Sequence, residues 1–163
     1  RFNKKYINLF YPAFEYAHKN HQFLISKSNF FLERNIMVHL TLDRNKRNYE
    51  KFNPLCFKLH GILNKNEIDY LYRFCDSLIY PSLIESLGMP LLEATLYKKP
   101  IIAIDLIYVH AVIKNAYFFD SNSEESFKNT ISTFLNDKEK DILKLAVPKI
   151  NINPLKFYQN LIN

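Results

Sequence analysis

Glycine is nearly absent from this chain: Gly61 and Gly88 are the two in 163 residues. Tryptophan is missing, and cysteine and methionine number two each. Cys56 and Cys75 lack any metal-ligand or redox spacing, so they read as reduced core residues of a cytosolic protein. No apolar run approaches the ~20 residues of a membrane-spanning helix. The N-terminus carries no signal-peptide pattern, and it opens on Arg1 rather than methionine, so the sequence reads as a piece of a longer protein. There is no internal repeat and no low-complexity segment.

Apolar residues make up 48% of the chain and aromatics 15%, enough for one core of ordinary size. The net charge of +6 admits a nucleic acid, an anionic membrane surface or an anionic small ligand as partner. No basic stripe interleaves with exposed aromatics, which speaks against nucleic acid. The densest basic patch, Asp43-Arg44-Asn45-Lys46-Arg47, reads as a solvated loop. Its functional alternative is a weak attraction to anionic headgroups, a peripheral contact with a membrane.

Short apolar runs alternate with amphipathic stretches. Strands are expected at 6–13, 36–42, 56–61, 77–82, 100–105 and 117–119. Helices are expected at 20–34 (capped by Asn20), 66–75, 89–97, 109–115 and 123–137, with a polar loop over 43–54. Strands apolar on both faces, alternating with helices, imply a parallel sheet covered on both sides. The expected fold is α/β, a Rossmann-like three-layer α/β/α domain with a mainly parallel sheet. Its core spans about 6–136, and a helical segment follows over 137–163 with Pro148 and Pro154 in it. Such sheets carry ligands at the carboxyl ends of their strands.

Gly88 falls at such an end. The helix beginning near Met89 has Pro90 in its first turn, where a missing N–H costs nothing. The free N–H groups and dipole of a helix start favour an anion, and glycine lets it approach closely. Glu85 lies in the preceding loop and Glu93 about one turn inside the helix. Carboxylates do not bind phosphate, but they accept hydrogen bonds from hydroxyls. A ligand with a central diphosphate and hydroxyl-bearing groups on both sides, a nucleotide sugar, fits this spacing. A plain helix start with a partly exposed Glu93 fits it too.

The segment P-S-x-x-E-S-x-G-M-P-x-L-E-A at 81–94, followed by a K-P-I-I-A strand, resembles the E-x7-E segment of retaining GT-B glycosyltransferases of family 4. YPAFEYAHKNHQFL (11–24), LHGILNKNEIDYLYRFCDSLIYPS (59–82) and DLIYVHAVIKNAYFFD (105–120) resemble further segments of the same donor-binding half, in the same order. The resemblance runs from residue 7 to about 135. It implies a C-terminal, donor-binding domain, with the N-terminal acceptor domain absent from this chain.

By that resemblance Glu85 faces the donor sugar, and Ser86, Leu87, Gly88 and Met89 offer backbone N–H groups to sugar and diphosphate. Glu93 holds the ribose and Gly61 sits beside the base. Lys19 neutralises the departing diphosphate, and His18 beside it orients the phosphate or closes the turn. The donor would be UDP- or GDP-linked, with no further cofactor and no metal, since no Asp-x-Asp motif appears. A glycan or lipid-linked acceptor would come from the other domain, in cell-surface polysaccharide assembly on the cytoplasmic side of a membrane, and the isolated chain would not turn over. Three positions depart from the family pattern, and two of them, Ala111 and the missing loop arginine, support a second reading, a degenerate module that binds without transfer. Ala111 stands where the family usually has glutamate, Lys98-Lys99 where Gly-Lys is common, and Phe14-Glu15-Tyr16 where many members carry an arginine. A sugar-nucleotide epimerase is a third reading, disfavoured by the lack of an acid/base pair. His60, Asp105 and His110 are each open between a ligand contact and a local structural role.

Overall fold

The computed structural model describes residues 5–43 and 49–149. Six strands, β1 (Ile7–Tyr11), β2 (Ile36–Leu40), β3 (Phe57–Leu59), β4 (Ser77–Tyr80), β5 (Ile101–Ile104) and β7 (Tyr117–Phe119), form one sheet in the order β3-β2-β1-β4-β5-β7. Every pairing in it is parallel. Helices α1 (His21–Ser26), α2 (Ser28–Glu33), α3 (Lys65–Phe74), α4 (Met89–Leu96), α5 (Ile107–Val112) and α6 (Glu124–Glu139) connect and cover it. The chain winds outward from β1 to β3, then returns to lay β4 on the other side of β1. The order therefore reverses between β1 and β4, and the loops leaving these two strands open a crevice there. This is the α/β architecture expected from the sequence.

Strand residues are buried almost without exception, as a sheet covered on both faces requires. One face is packed by phenylalanines. Phe127 of α6 is fully buried and meets the rings of Phe23, Phe30, Phe31 and Phe119 at 5.1 to 6.1 Å between centroids. Elsewhere Tyr72 of α3 packs edge-on against Phe10 of β1 at 5.0 Å and stacks on Tyr97, just past α4, at 4.9 Å. Both thiols are buried, and burial pushes Cys56 up to about 11 and Cys75 up to about 12.

Four local expectations need correction. The single helix expected over 20–34 is two, broken at Lys27. The hydroxyls of Ser26 and Ser28 donate to the carbonyls of Phe23 and Ile25, three residues back, and compete with the helical ladder. Lys27 is drawn inward to pair with Glu124, its ammonium 4.9 Å from the Phe23 ring. Asn20 occupies the N-cap position but makes no cap bond. Its backbone is left-handed, φ 57°, and its amide donates to the Pro81 carbonyl instead. The helix expected over 109–115 ends at Val112, because Ile113–Lys114 (β6) pairs antiparallel with Val147–Pro148 (β8). The helical tail expected from 137 stops at Glu139. Asp141 turns left-handed at φ 57°, and 142–149 run without helix. Residues 150–163, Arg1 and most of the basic patch at 43–47 lie outside the described residues.

Phe127→Ala removes the hub of the aromatic face. It is expected to lower the unfolding free energy by about 3–5 kcal/mol, measured by urea titration. A loss below about 1 kcal/mol would mean that the face repacks, contrary to a jigsaw core.

Candidate functional site

Lys19 ends a short turn of 3₁₀ helix (Ala17–Lys19) after β1, and Glu85 lies in the loop after β4. Although 66 residues apart, they meet: Lys19 Nζ forms an ion pair with Glu85 Oε1, and both side chains are largely buried, 14% and 13% exposed. The two loops are tied beneath this pair. The Leu83 amide donates to the His18 carbonyl at 2.7 Å, Tyr11 Oη to the Lys19 carbonyl at 3.0 Å, and Asn20 Nδ2 to the Pro81 carbonyl at 3.2 Å. From α5, Tyr108 Oη donates to the Ser82 carbonyl, and Ser82 Oγ donates to Glu85 Oε1 at 2.6 Å.

Burial is the strongest influence on Glu85 and pushes its carboxyl up. The Lys19 ammonium, the Ser82 hydroxyl and the field of His18 together outweigh it and hold the carboxyl below the ordinary glutamate value. Tyr80 lies behind this cluster, and burial raises its pKa well above the usual tyrosine value.

Gly88 is the N-cap of α4, left-handed at φ 61°, and no side chain caps this helix start. A Cβ at Gly88 would stand 3.0 Å from Leu91 Cδ1, so a side chain is resisted by both backbone and space. Ser86 and Leu87 are exposed in the loop before it, and Met89 opens the helix. Glu93 points back to α3, where Tyr72 Oη donates to its Oε2 at 2.7 Å. Here burial prevails over the Tyr72 bond and raises the carboxyl above the ordinary value.

Gly61 follows β3 at φ 78° with open space where a Cβ would stand. Beside it, Pro12, Ala13, Phe14, Thr41, Ile62, Leu63 and Ile68 line a mostly apolar cavity of about 240 Å³. His60 reaches back into the sheet: its Nε2 lies 2.9 Å from His39 Nδ1, and His39 Nε2 lies 3.0 Å from Asn8 Oδ1. His18 stacks on Tyr16 at 5.6 Å. Asp105 Oδ1 and His110 Nε2 are 2.5 Å apart at the end of β5, with the His110 ring 4.2 Å from Phe118.

The structure thus brings Lys19, His18, Glu85, Ser86, Leu87, Gly88 and Met89 to one crevice, with Glu93 a turn inside α4 and Gly61 two strands away at the end of β3. Sequence reasoning gave no role to Ser82, Tyr72 and Tyr108. Tyr72 lies on the apolar face of its helix, and the partner of its hydroxyl follows only from the placing of α3 beside α4.

Residues 45–143 match the family model described as glycosyl transferases group 1. The chain belongs to this family. Among curated proteins it is similar to the O-antigen chain mannosyltransferase RfbU of Salmonella typhimurium, 34% identical over 67 residues, which are 40% of this chain and 19% of that protein. Among solved structures it is similar to TarM (TM-score 0.70, 14% identity, 85% of this chain and 30% of that one). It is also similar to Anabaena Alr3699/HepE in complex with UDP and glucose (0.66, 18%, 85% and 41%). A third is the C-terminal domain of the group 1 family protein LpcC from Francisella tularensis (0.66, 17%, 85% and 80%). At these identities the likeness is one of fold, that of GT-B glycosyltransferase domains. The chain spans about a fifth of RfbU and under a third of TarM.

The opposite displacements of the two carboxyls have opposite consequences for stability. Glu93 costs nothing while protonated in both states; as pH rises past the ordinary glutamate value the unfolded carboxyl ionises first, and stability falls. Glu85 contributes stability above the ordinary value and loses it as pH falls through its lower folded value. Urea unfolding across pH should therefore show Glu93→Gln stabilising at neutral pH and without effect well below the ordinary value, while Glu85→Gln destabilises at neutral pH. Effects of the same sign at neutral pH would refute the assignment.

Proposed function

We propose that this chain is the C-terminal, donor-binding half of a retaining, metal-independent glycosyltransferase of family 4. It would move a sugar from a UDP- or GDP-linked donor to a glycan or lipid-linked acceptor in cell-surface polysaccharide synthesis. The observation that carries the reading is the meeting of Lys19 and Glu85 across the β1–β4 crevice, directly before an uncapped helix start at Gly88. The family membership supports it, as do the UDP held by HepE and the O-antigen role in the name of RfbU.

In this reading the diphosphate lies over the start of α4, at the N–H groups of Ser86 to Met89. Glu85 accepts hydrogen bonds from the donor sugar, Glu93 from the ribose, and the base lies in the apolar slot beside Gly61. As the bond from the anomeric carbon to the diphosphate breaks, negative charge grows on the leaving oxygen. Lys19 and the oriented N–H groups then bind the transition state better than the ground state, without a metal. The acceptor is supplied by an N-terminal domain on the cytoplasmic side of the membrane. Whole-enzyme turnover is not expected of this chain by itself. The degenerate, binding-only reading is favoured by one observation: the exposed Ala111 of α5 brings no carboxylate to the crevice.

Calorimetric titration with UDP, GDP and ADP tests the donor site. One nucleotide is expected to bind saturably, and Lys19→Ala to weaken it by about ten- to a hundredfold, the loss typical of a hydrogen bond to a charged group. Glu93→Ala should weaken the nucleotide as well. Binding by none of the three to the folded chain, or binding indifferent to both substitutions, would overturn the assignment.

A further inference from the structure

On the outer side of α3 and α4, away from the crevice, lies an open groove of about 760 Å³. It is lined by Lys65, Arg73, Lys98 and Lys99, with Asp69, Leu96 and Tyr97. Four cations thus line the groove with one carboxylate, and that carboxylate is paired with Arg73, so the excess charge is carried by the three lysines. Asp69 accepts from Arg73 Nε at 2.5 Å and from Tyr97 Oη at 2.6 Å, and these contacts hold it below the usual aspartate range. Lys99 is half-committed, its ammonium donating to the carbonyls of Arg73 and Cys75 at the end of α3. Lys98 stands exposed on a left-handed backbone, φ 52°.

Beside the groove the helix turns an unusual surface to solvent. Residues 65, 69 and 73 form one line along α3, and 66, 70 and 74 form the adjacent line. On that second line Tyr70 and Phe74 are 39% and 56% exposed, their rings 4.6 Å apart. An exposed aromatic pair next to lysines and an arginine is the composition of a membrane–water interface: rings sit at the headgroup level, and cations attract the anionic leaflet. No helix among the described residues is long and apolar enough to cross a membrane, so the contact would lie on the surface.

We infer that the α3–α4 face docks on an anionic phospholipid surface, with Lys65 and Lys98 at the headgroup phosphates and Tyr70 and Phe74 between headgroups. Charge complementarity favours this occupant over a zwitterionic membrane: the groove and the chain, at +6, are both basic. The aromatic pair favours it over a free anion, which would use the cations and leave the rings in water. The inference does not depend on the donor-site assignment and can fail without it.

Co-sedimentation with vesicles tests it. The chain should bind vesicles of mixed phosphatidylcholine and phosphatidylglycerol, bind pure phosphatidylcholine weakly, and release as salt shortens the screening length. Lys65→Glu combined with Lys98→Gly should reduce binding roughly twentyfold or more, at roughly fivefold for each basic side chain near an anionic leaflet. Neither change threatens the fold. A glutamate suits the first turn of α3, and glycine suits the left-handed position. Phe74→Ala should reduce binding while leaving its salt dependence intact. Because both native thiols are buried, Asn66→Cys, on the same exposed line of α3, can be labelled selectively with an environment-sensitive dye. Its emission should shift to the blue on anionic vesicles and stay unchanged with inorganic phosphate. Equal binding to both vesicle types, undiminished binding by the charge variant, or a dye that reports no change on anionic vesicles would each overturn the inference.

Discussion

The crevice depends on a clamp between two loops that belong to distant parts of the chain. A parallel sheet that starts in its middle must send its first and fourth strands side by side, and both loops then leave the same edge. Nothing in that topology fixes how they meet. The fixing is done by backbone-directed bonds, from the Leu83 amide to His18 and from Asn20 to Pro81, and above them by the Lys19–Glu85 pair. An ion pair this buried gives up most of its hydration, so it contributes less to folding than its Coulomb attraction suggests. Its consequence is positional: it holds one cation and one carboxylate in a defined orientation at the mouth of α4.

Glycine scarcity shapes the rest of the backbone. Left-handed positions are still needed, and among the described residues five are filled by Asn20, Asn35, Lys98, Asn115 and Asp141. Four of these are Asn or Asp, whose short polar side chains tolerate that conformation best. The two glycines lie on the carboxyl edge of the sheet, Gly61 just after β3 and Gly88 at the start of α4. At Gly88 the reason is steric as well as conformational, since Leu91 crowds the place a side chain would take. At Gly61 nothing crowds it. A side chain there would instead project into open space beside the apolar slot, so the absence of one keeps that approach clear.

Much of this was legible from sequence. The alternation of buried strands with amphipathic helices fixes a parallel sheet, and the strand-end positions of Lys19, Glu85 and Gly88 follow from counting along it. Boundaries failed where side chains overrode local pattern. Helix 20–34 looks continuous by spacing, yet two serine hydroxyls and the inward turn of Lys27 divide it. Ile113–Lys114 looks like the end of a helix, and only a partner more than thirty residues later makes it a strand. The tyrosines that finish the site were hidden for a related reason. A tyrosine on an apolar stripe buries its ring as a phenylalanine would, and the partner of its hydroxyl is a matter of tertiary placement that periodicity does not encode.

Two glutamates beside the proposed diphosphate position raise an electrostatic difficulty. A carboxylate about 4 Å from a phosphate oxygen repels it by roughly 1 kcal/mol in water and by about 4 kcal/mol at the effective dielectric of a protein surface. The environments of Glu85 and Glu93 reduce this in different ways. Glu85 keeps its charge but shares it with Lys19 and Ser82, so the pair is nearly neutral from a distance. Glu93 is buried against Tyr72, where ionisation is disfavoured. For the proposed diphosphate donor, the local field is then set mainly by the uncapped N–H groups of α4, and the long-range field by the net charge of +6. Attraction from afar, weak local repulsion and hydroxyl acceptors on either side together suit an anion that carries sugars at both ends better than they suit phosphate alone.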